Sequence, residues 1–140
     1  MWPWEHLLFG YVWYSILHRA VWRRPISDAE GLTIALATQA PDLVDKTLSW
    51  TLSVLPSGYG PAHSVLVGVP VALLVAGVLW TRDRARVATA FLVAYGSHLA
   101  GDALALRANG PNIGRLLWPV VTFDAYATNL GFLERFVVYF

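Results

Sequence analysis

The chain has 140 residues, of which 56% are apolar and 14% charged. A soluble domain carries about a quarter charged residues, so the composition points to a single membrane-embedded domain over residues 1–140, and the net charge of +1 offers no basic surface for nucleic acid. The absence of cysteine excludes disulfides, thiolate metal sites and cysteine nucleophiles.

The N-terminal stretch "MWPWEHLLFG" lacks the basic n-region of a secretory signal, and Glu5 stands where a lysine or arginine would be expected. The positive residues come later, at Arg19, Arg23 and Arg24. Residues 7–22 therefore read as a first membrane helix that is retained. A weaker helix follows over 28–40, with Ser27 or Asp28 as its cap. At ~1.5 Å per residue it covers about two-thirds of a bilayer core. Residues 46–62 contain Pro, Gly and Ser and read as a loop with some helix. No charged residue interrupts Ser64 to Trp80, which is close to the lower limit for a span. "RDRAR" (82–86) comes next. Val87 to Leu106 is then apolar except for His98 and Asp102. Residues 107–125 read as irregular, and 127–140 as a fifth span or an interfacial helix. The expected fold is all-α, an integral membrane helical bundle of four or five helices, with the lipid bilayer as its first partner.

Arginines set the expected orientation in the cell membrane. Positive residues favour the cytoplasmic side, and Arg19, Arg23 and Arg24 fall on the same side as Arg82, Arg84 and Arg86 if the 28–40 helix crosses. His6, Asp42, Asp45, His63, His98 and Asp102 then gather towards the outer face, so the chain is expected to be multi-pass with an outward-facing site. His98 and Asp102 are i and i+4, on one helix face. Asp42 and Asp45 are i and i+3 behind Pro41, a residue well tolerated in a first helical turn. Imidazole and carboxylate ligands suit a divalent metal, Zn²⁺ ahead of Mn²⁺, as one or two ions. A bound cation would also offset the cost of burying Asp102 in an apolar helix. His18, beside Arg19, reads as interfacial and outside the set.

Five elements in order resemble a known family. They are His6, "APDLVD" (40–45), "AHS" (62–64), "YGSHLAGD" (95–102) and "GRLLWP" (114–119). Together they are similar to the membrane-bound metal-dependent hydrolases of the LexA-regulated inner-membrane type. The chain departs from that pattern in having "PDLVD" for "PDLD", in having "GYGPAHS" where the family places arginine-glycine or histidine-arginine before "Thr-His-Ser", and in lacking the threonine expected soon after Asp102. The ligand order is more distantly similar to zinc-dependent phospholipase C and S1-type nucleases. The resemblance implies metal-dependent hydrolysis.

On this reading His63, His98 and Asp102 hold one metal, while His6, Asp42 and Asp45 hold a second or its bridge. Asp102 and Asp45 are the expected catalytic carboxylates, with Asp45 as general base. Arg107 and Arg115 are expected to bind a phosphoester of a lipid or lipid-linked substrate. Two other classes stand beside this reading: a non-catalytic membrane module stapled by its metal, and a metal or proton transporter.

Overall fold

The computed structural model describes residues 1–104, 111–126, 130 and 132–139. Among these it is all-helical: α1 (Pro3–Val21), α2 (Asp28–Ala37), α3 (Ala40–Lys46), α4 (Gly68–Thr81), α5 (Ala85–Leu104) and α6 (Phe132–Tyr139), with a π-helical turn over Thr47–Thr51 and a 3-10 turn over Ile113–Leu116.

Local chemistry explains the helix ends. Pro3 occupies the first turn of α1, where its missing N–H costs nothing, and Glu5 accepts the Trp2 amide at 2.7 Å. Ser27 caps α2, and Glu30 reaches back to the Ser27 amide at 2.8 Å, completing a capping box. Gln39 interrupts the helical path between α2 and α3, and Pro41 lies in the first turn of α3.

A four-residue rhythm determines what the helices hide. Buried positions recur four apart at His6, Gly10, Tyr14 and His18 in α1; Glu30, Ile34, Thr38 and Asp42 along α2 and into α3; Gly68, Ala72 and Ala76 in α4; and Ala90, Ala94, His98 and Asp102 in α5, where Ala88, Tyr95, Ser97, Leu99 and Gly101 are buried beside them. Residues four apart stack into one ridge. Gly10 in α1 and Ala90 and Ala94 in α5 let helices approach closely, while polar residues stand at both ends of the α1 ridge and at the C-terminal end of that of α5. At Gly10 the approach is tight enough that a Cβ would stand 2.5 Å from Thr38 Cγ2 and 2.9 Å from Ser97 Oγ. Helix α5 is central and packs against α1, α2 and α4. Tyr14, Ile34, Tyr95 and Leu99 are buried, but many large apolar side chains face outward, among them Trp13 and Ile16 of α1 and Leu73, Leu74 and Val78 of α4.

Helices α2 and α4 are shorter than the sequence suggests, while α1 starts earlier than expected, at Pro3. No helix among the described residues is long and apolar enough to cross a membrane. Helix α4 has 14 residues, or about 21 Å, because Ser64 to Val67 belong to the turn ahead of it. Helices α1 and α5 reach 19 and 20 residues but carry Glu5, His6, His18 and Arg19, and Arg86, His98 and Asp102, respectively. Helix α6, with 8 residues and about 12 Å of length, is too short to be a fifth span.

Candidate metal centre

Three segments deliver the four candidate ligands to one end of the bundle. Asp42 comes from the first turn of α3, His63 from the turn before α4, and His98 and Asp102 from adjacent turns of α5. One ligand atom from each of these four residues lies within 4.8 Å of the others. His63 Nε2 is 3.1 Å from His98 Nε2, 3.4 Å from Asp102 Oδ2 and 3.5 Å from Asp42 Oδ1. His98 Nε2 is 3.7 Å from Asp102 Oδ2 and 3.9 Å from Asp42 Oδ1. Four ligands at ~2.0–2.1 Å around a tetrahedral ion stand about 3.3 Å apart. The residues therefore fit a single divalent cation in spacing and in donor type, and two carboxylates balance its charge.

Both imidazoles are held with the useful nitrogen inward. The end of α2 leaves carbonyls without helical donors, and that of Thr38 accepts from His98 Nδ1 at 2.6 Å. Since a carbonyl only accepts, the proton sits on Nδ1 and the Nε2 lone pair faces the cluster. His63 Nδ1 is fixed in the same way by Asp45 Oδ2 at 2.8 Å. Partners of this kind orient metal-binding histidines and raise their basicity.

Asp45, expected among the ligands and as general base, is turned the other way. Its carboxylate is fully buried and accepts the amides of Gly60, Ala62 and His63 at 2.8, 3.1 and 2.9 Å, besides the His63 ring. Gly60 allows this, since a Cβ there would meet Leu55 Cδ1 and lie 3.2 Å from Asp45 Oδ1. His6 lies at the edge of the cluster. Its ring stacks on His98 with centroids 3.8 Å apart, Nε2 is 3.4 Å from Asp102 Oδ1, and neither ring nitrogen has a hydrogen-bond partner.

The electrostatics follow from this crowding. Burial alone would push the His63 imidazole down, but its contacts with Asp102, Asp42 and Asp45 outweigh burial and raise it to about 10. Burial would push the Asp42 carboxyl up, yet His63, Lys46 and His98 hold it well below the usual carboxylate range. Lys46 Nζ takes Asp42 Oδ2 at 2.6 Å, which leaves Oδ1 for the cluster. A proton on His63 Nε2 thus fills the space between the two rings, and the same field favours a metal cation there.

Both histidines are 0% exposed, while Asp42 keeps 8% and Asp102 5%, so access is from the carboxylate side. A cleft of about 220 Å³ opens there, lined in part by Asp42, Lys46, Tyr59, Asp102 and Tyr126. Arg115 donates to the Asp102 carbonyl at 2.9 Å and lies over the Tyr59 ring. Ser64 Oγ donates to the Trp118 carbonyl at 2.5 Å and accepts the Leu66 amide, which ties the His63 turn to the 114–119 segment. Arg107 lies outside the described residues.

At the opposite end, His18 and Glu30 are fully buried, although the sequence marks His18 only as interfacial. Tyr14 donates to Glu30 Oε1 at 2.6 Å, Ser27 Oγ donates to Oε2 at 2.5 Å, and Arg86 lies 3.7 Å from Oε2. The sequence carried two signals for this network: the "SDAE" capping box and the four-residue spacing of Tyr14 and His18.

Fold and site together define an all-helical protein with a buried Asp–His–His–Asp group that can take a metal ion. The chain belongs to the YdjM inner membrane protein family, whose model matches residues 1–139. No curated protein and no solved structure matches it.

Proposed function

We propose that the chain is a membrane-embedded, metal-dependent hydrolase, acting on a phosphoester or ester of a lipid or lipid-linked molecule. The observation that carries this reading is the cleft reaching Asp42 and Asp102, the accessible edge of a cluster spaced for one divalent cation. Such a cation, Zn²⁺ ahead of Mn²⁺, supplies Lewis acidity and an acidified water.

The chain's own groups do the rest. Asp42, His63, His98 and Asp102 are the ligands, while Asp45 and the Thr38 carbonyl hold the two imidazoles in register. Asp102 Oδ1, beside His6 Nε2, is the proton acceptor for the attacking water, and His6 passes the proton to the leaving oxygen. Lys46 and Arg115 flank the cleft and provide cationic contact for a phosphoryl group. The test is purified protein in mixed micelles with Zn²⁺ or Mn²⁺, scored for release of headgroup or phosphate from phospholipids and polyprenyl phosphates. Turnover that is lost on chelation and in Asp102→Asn is expected. If only a soluble ester turns over, the lipid assignment fails. If nothing does, the catalytic reading fails.

The four-ligand count supports a second reading, since closed four-ligand sites are typically structural. A metal-dependent melting temperature without turnover would establish that staple.

The outward-facing Leu, Val and Trp side chains support embedding in lipid, and the two arginine clusters at one end support an outward-facing centre. Cysteines at the exposed positions Val54 and Thr81 should then label from opposite faces. Labelling from one face would remove the multi-pass orientation.

A further inference from the structure

We propose that the arginine-lined cleft at the C-terminal end of α1 is a phosphate-binding site, separate from the metal centre and independent of the hydrolase reading. The cleft has a volume of about 840 Å³, with Arg19, Arg23, Arg24, Ser15 and His18 in its lining. The three arginines are exposed, and none of their side chains has a hydrogen-bond or ion-pair partner among the described residues. Arg23 has φ 50°, the left-handed conformation at a helix end usually left to glycine. The chain turns there, so that Arg23 and Arg24 line the same cleft as Arg19.

The floor of the cleft is what makes it a site. Ser15 Oγ is buried without a hydrogen-bond partner, and so is His18 Nδ1. His18 Nε2 is 3.3 Å from Glu30 Oε1 but too poorly aligned to count as a hydrogen bond. Its ring lies between Tyr14 and Trp22, with centroids 5.4 and 5.2 Å away, and it lines the cleft together with Ser15. A negative helix C-terminus favours arginine nearby, which accounts for Arg19. It does not account for two buried polar atoms without partners beneath three cations, since such atoms normally find one. Glu30, behind His18, has both oxygens engaged by the Tyr14 and Ser27 hydroxyls, and Arg86, 3.7 Å away, offsets its charge. A phosphoryl group supplies what is missing: oxygens for bidentate arginine contacts and acceptors for Ser15 and His18 below.

Two sources share this chemistry, a phospholipid headgroup and free phosphate, and two arms separate them. The full chain in neutral detergent, with chelator present so that the metal centre takes no part, is titrated with inorganic phosphate by calorimetry. In parallel, native mass spectrometry counts phosphatidylglycerol and phosphatidylcholine retained from mixed nanodiscs. Saturable 1:1 binding in either arm is expected, the lipid arm alone identifying a headgroup and the phosphate arm alone a soluble anion. Arg19→Gln and Arg24→Gln, both at exposed positions, should each weaken it about tenfold. Ser15→Ala should weaken it severalfold, and Arg82→Gln with Arg84→Gln not at all. No saturable binding in either arm overturns the proposal. So does equal loss on substituting Arg82 and Arg84, since the effect is then diffuse surface charge.

Discussion

The two ends of the bundle bury the same residue types and arrive at opposite chemistry. At the arginine end, both Glu30 oxygens are met by donors from Tyr14, Ser27 and Arg86, so the carboxylate belongs to a closed network. At the other end the donors lie behind the ligands. Thr38 and Asp45 hold the back of each imidazole, while two Nε2 atoms and two carboxylates face one another across 3.1–3.9 Å. The carboxylate with every oxygen engaged there is Asp45, and it too lies outside the cluster. A buried His–carboxylate pair is thus a candidate ligand set only when its ligand atoms converge on one point.

The sharpest way to break this comparison is metal affinity, measured by competition with a chromophoric chelator. Asp102→Asn and His98→Ala should cost the most, more than the 10–100-fold typical of an outer partner. Asp45→Asn should cost about that 10–100-fold, because His63 loses its orienting carboxylate. Glu30→Gln and His18→Ala should leave affinity unchanged. If Glu30→Gln matches Asp102→Asn, the distinction between closed and convergent ends is lost.

A smaller effect sharpens the same contrast through pH. His63 is raised from an ordinary value of about 6.5 to about 10. The stability its proton brings to the chelated protein is therefore complete below about pH 6.5 and lost as pH rises towards 10. Chelated protein should melt at a lower temperature at about pH 9.5 than at about pH 6.5. Metal-loaded protein should not, since ligation has already displaced that proton. Identical pH profiles for the two forms would place the metal elsewhere.

Much of this site is legible in the sequence, because its spacing is local. His98 and Asp102 share a face by the i, i+4 rule, and Pro41 announces the turn that carries Asp42. The direction of Asp45 is not legible, since it depends on amides 15–18 residues away. His18 and Glu30 sit on different helices, so their meeting is a matter of packing. Yet the stripe His6, Gly10, Tyr14, His18 repeats every four residues, as does Ala90, Ala94, His98, Asp102. Apolar periodicity passes over both, because these two stripes are mostly small or polar while many apolar side chains are outside. The start of α4 is not legible either: an uninterrupted apolar run from Ser64 to Trp80 gives no sign that Ser64 serves the turn before it.

That serine carries a consequence for local opening. The 114–119 segment is fastened to the His63 turn by Ser64 Oγ and the Val65 amide, and to the end of α5 by Arg115 on the Asp102 carbonyl, so two ligand-bearing stretches share one strap. In amide-exchange terms, the Val65 N–H, which bonds the Leu116 carbonyl at 2.9 Å, reports on both at once. It can exchange with solvent only when the strap lifts, and lifting the strap loosens the His63 turn and the end of α5 together.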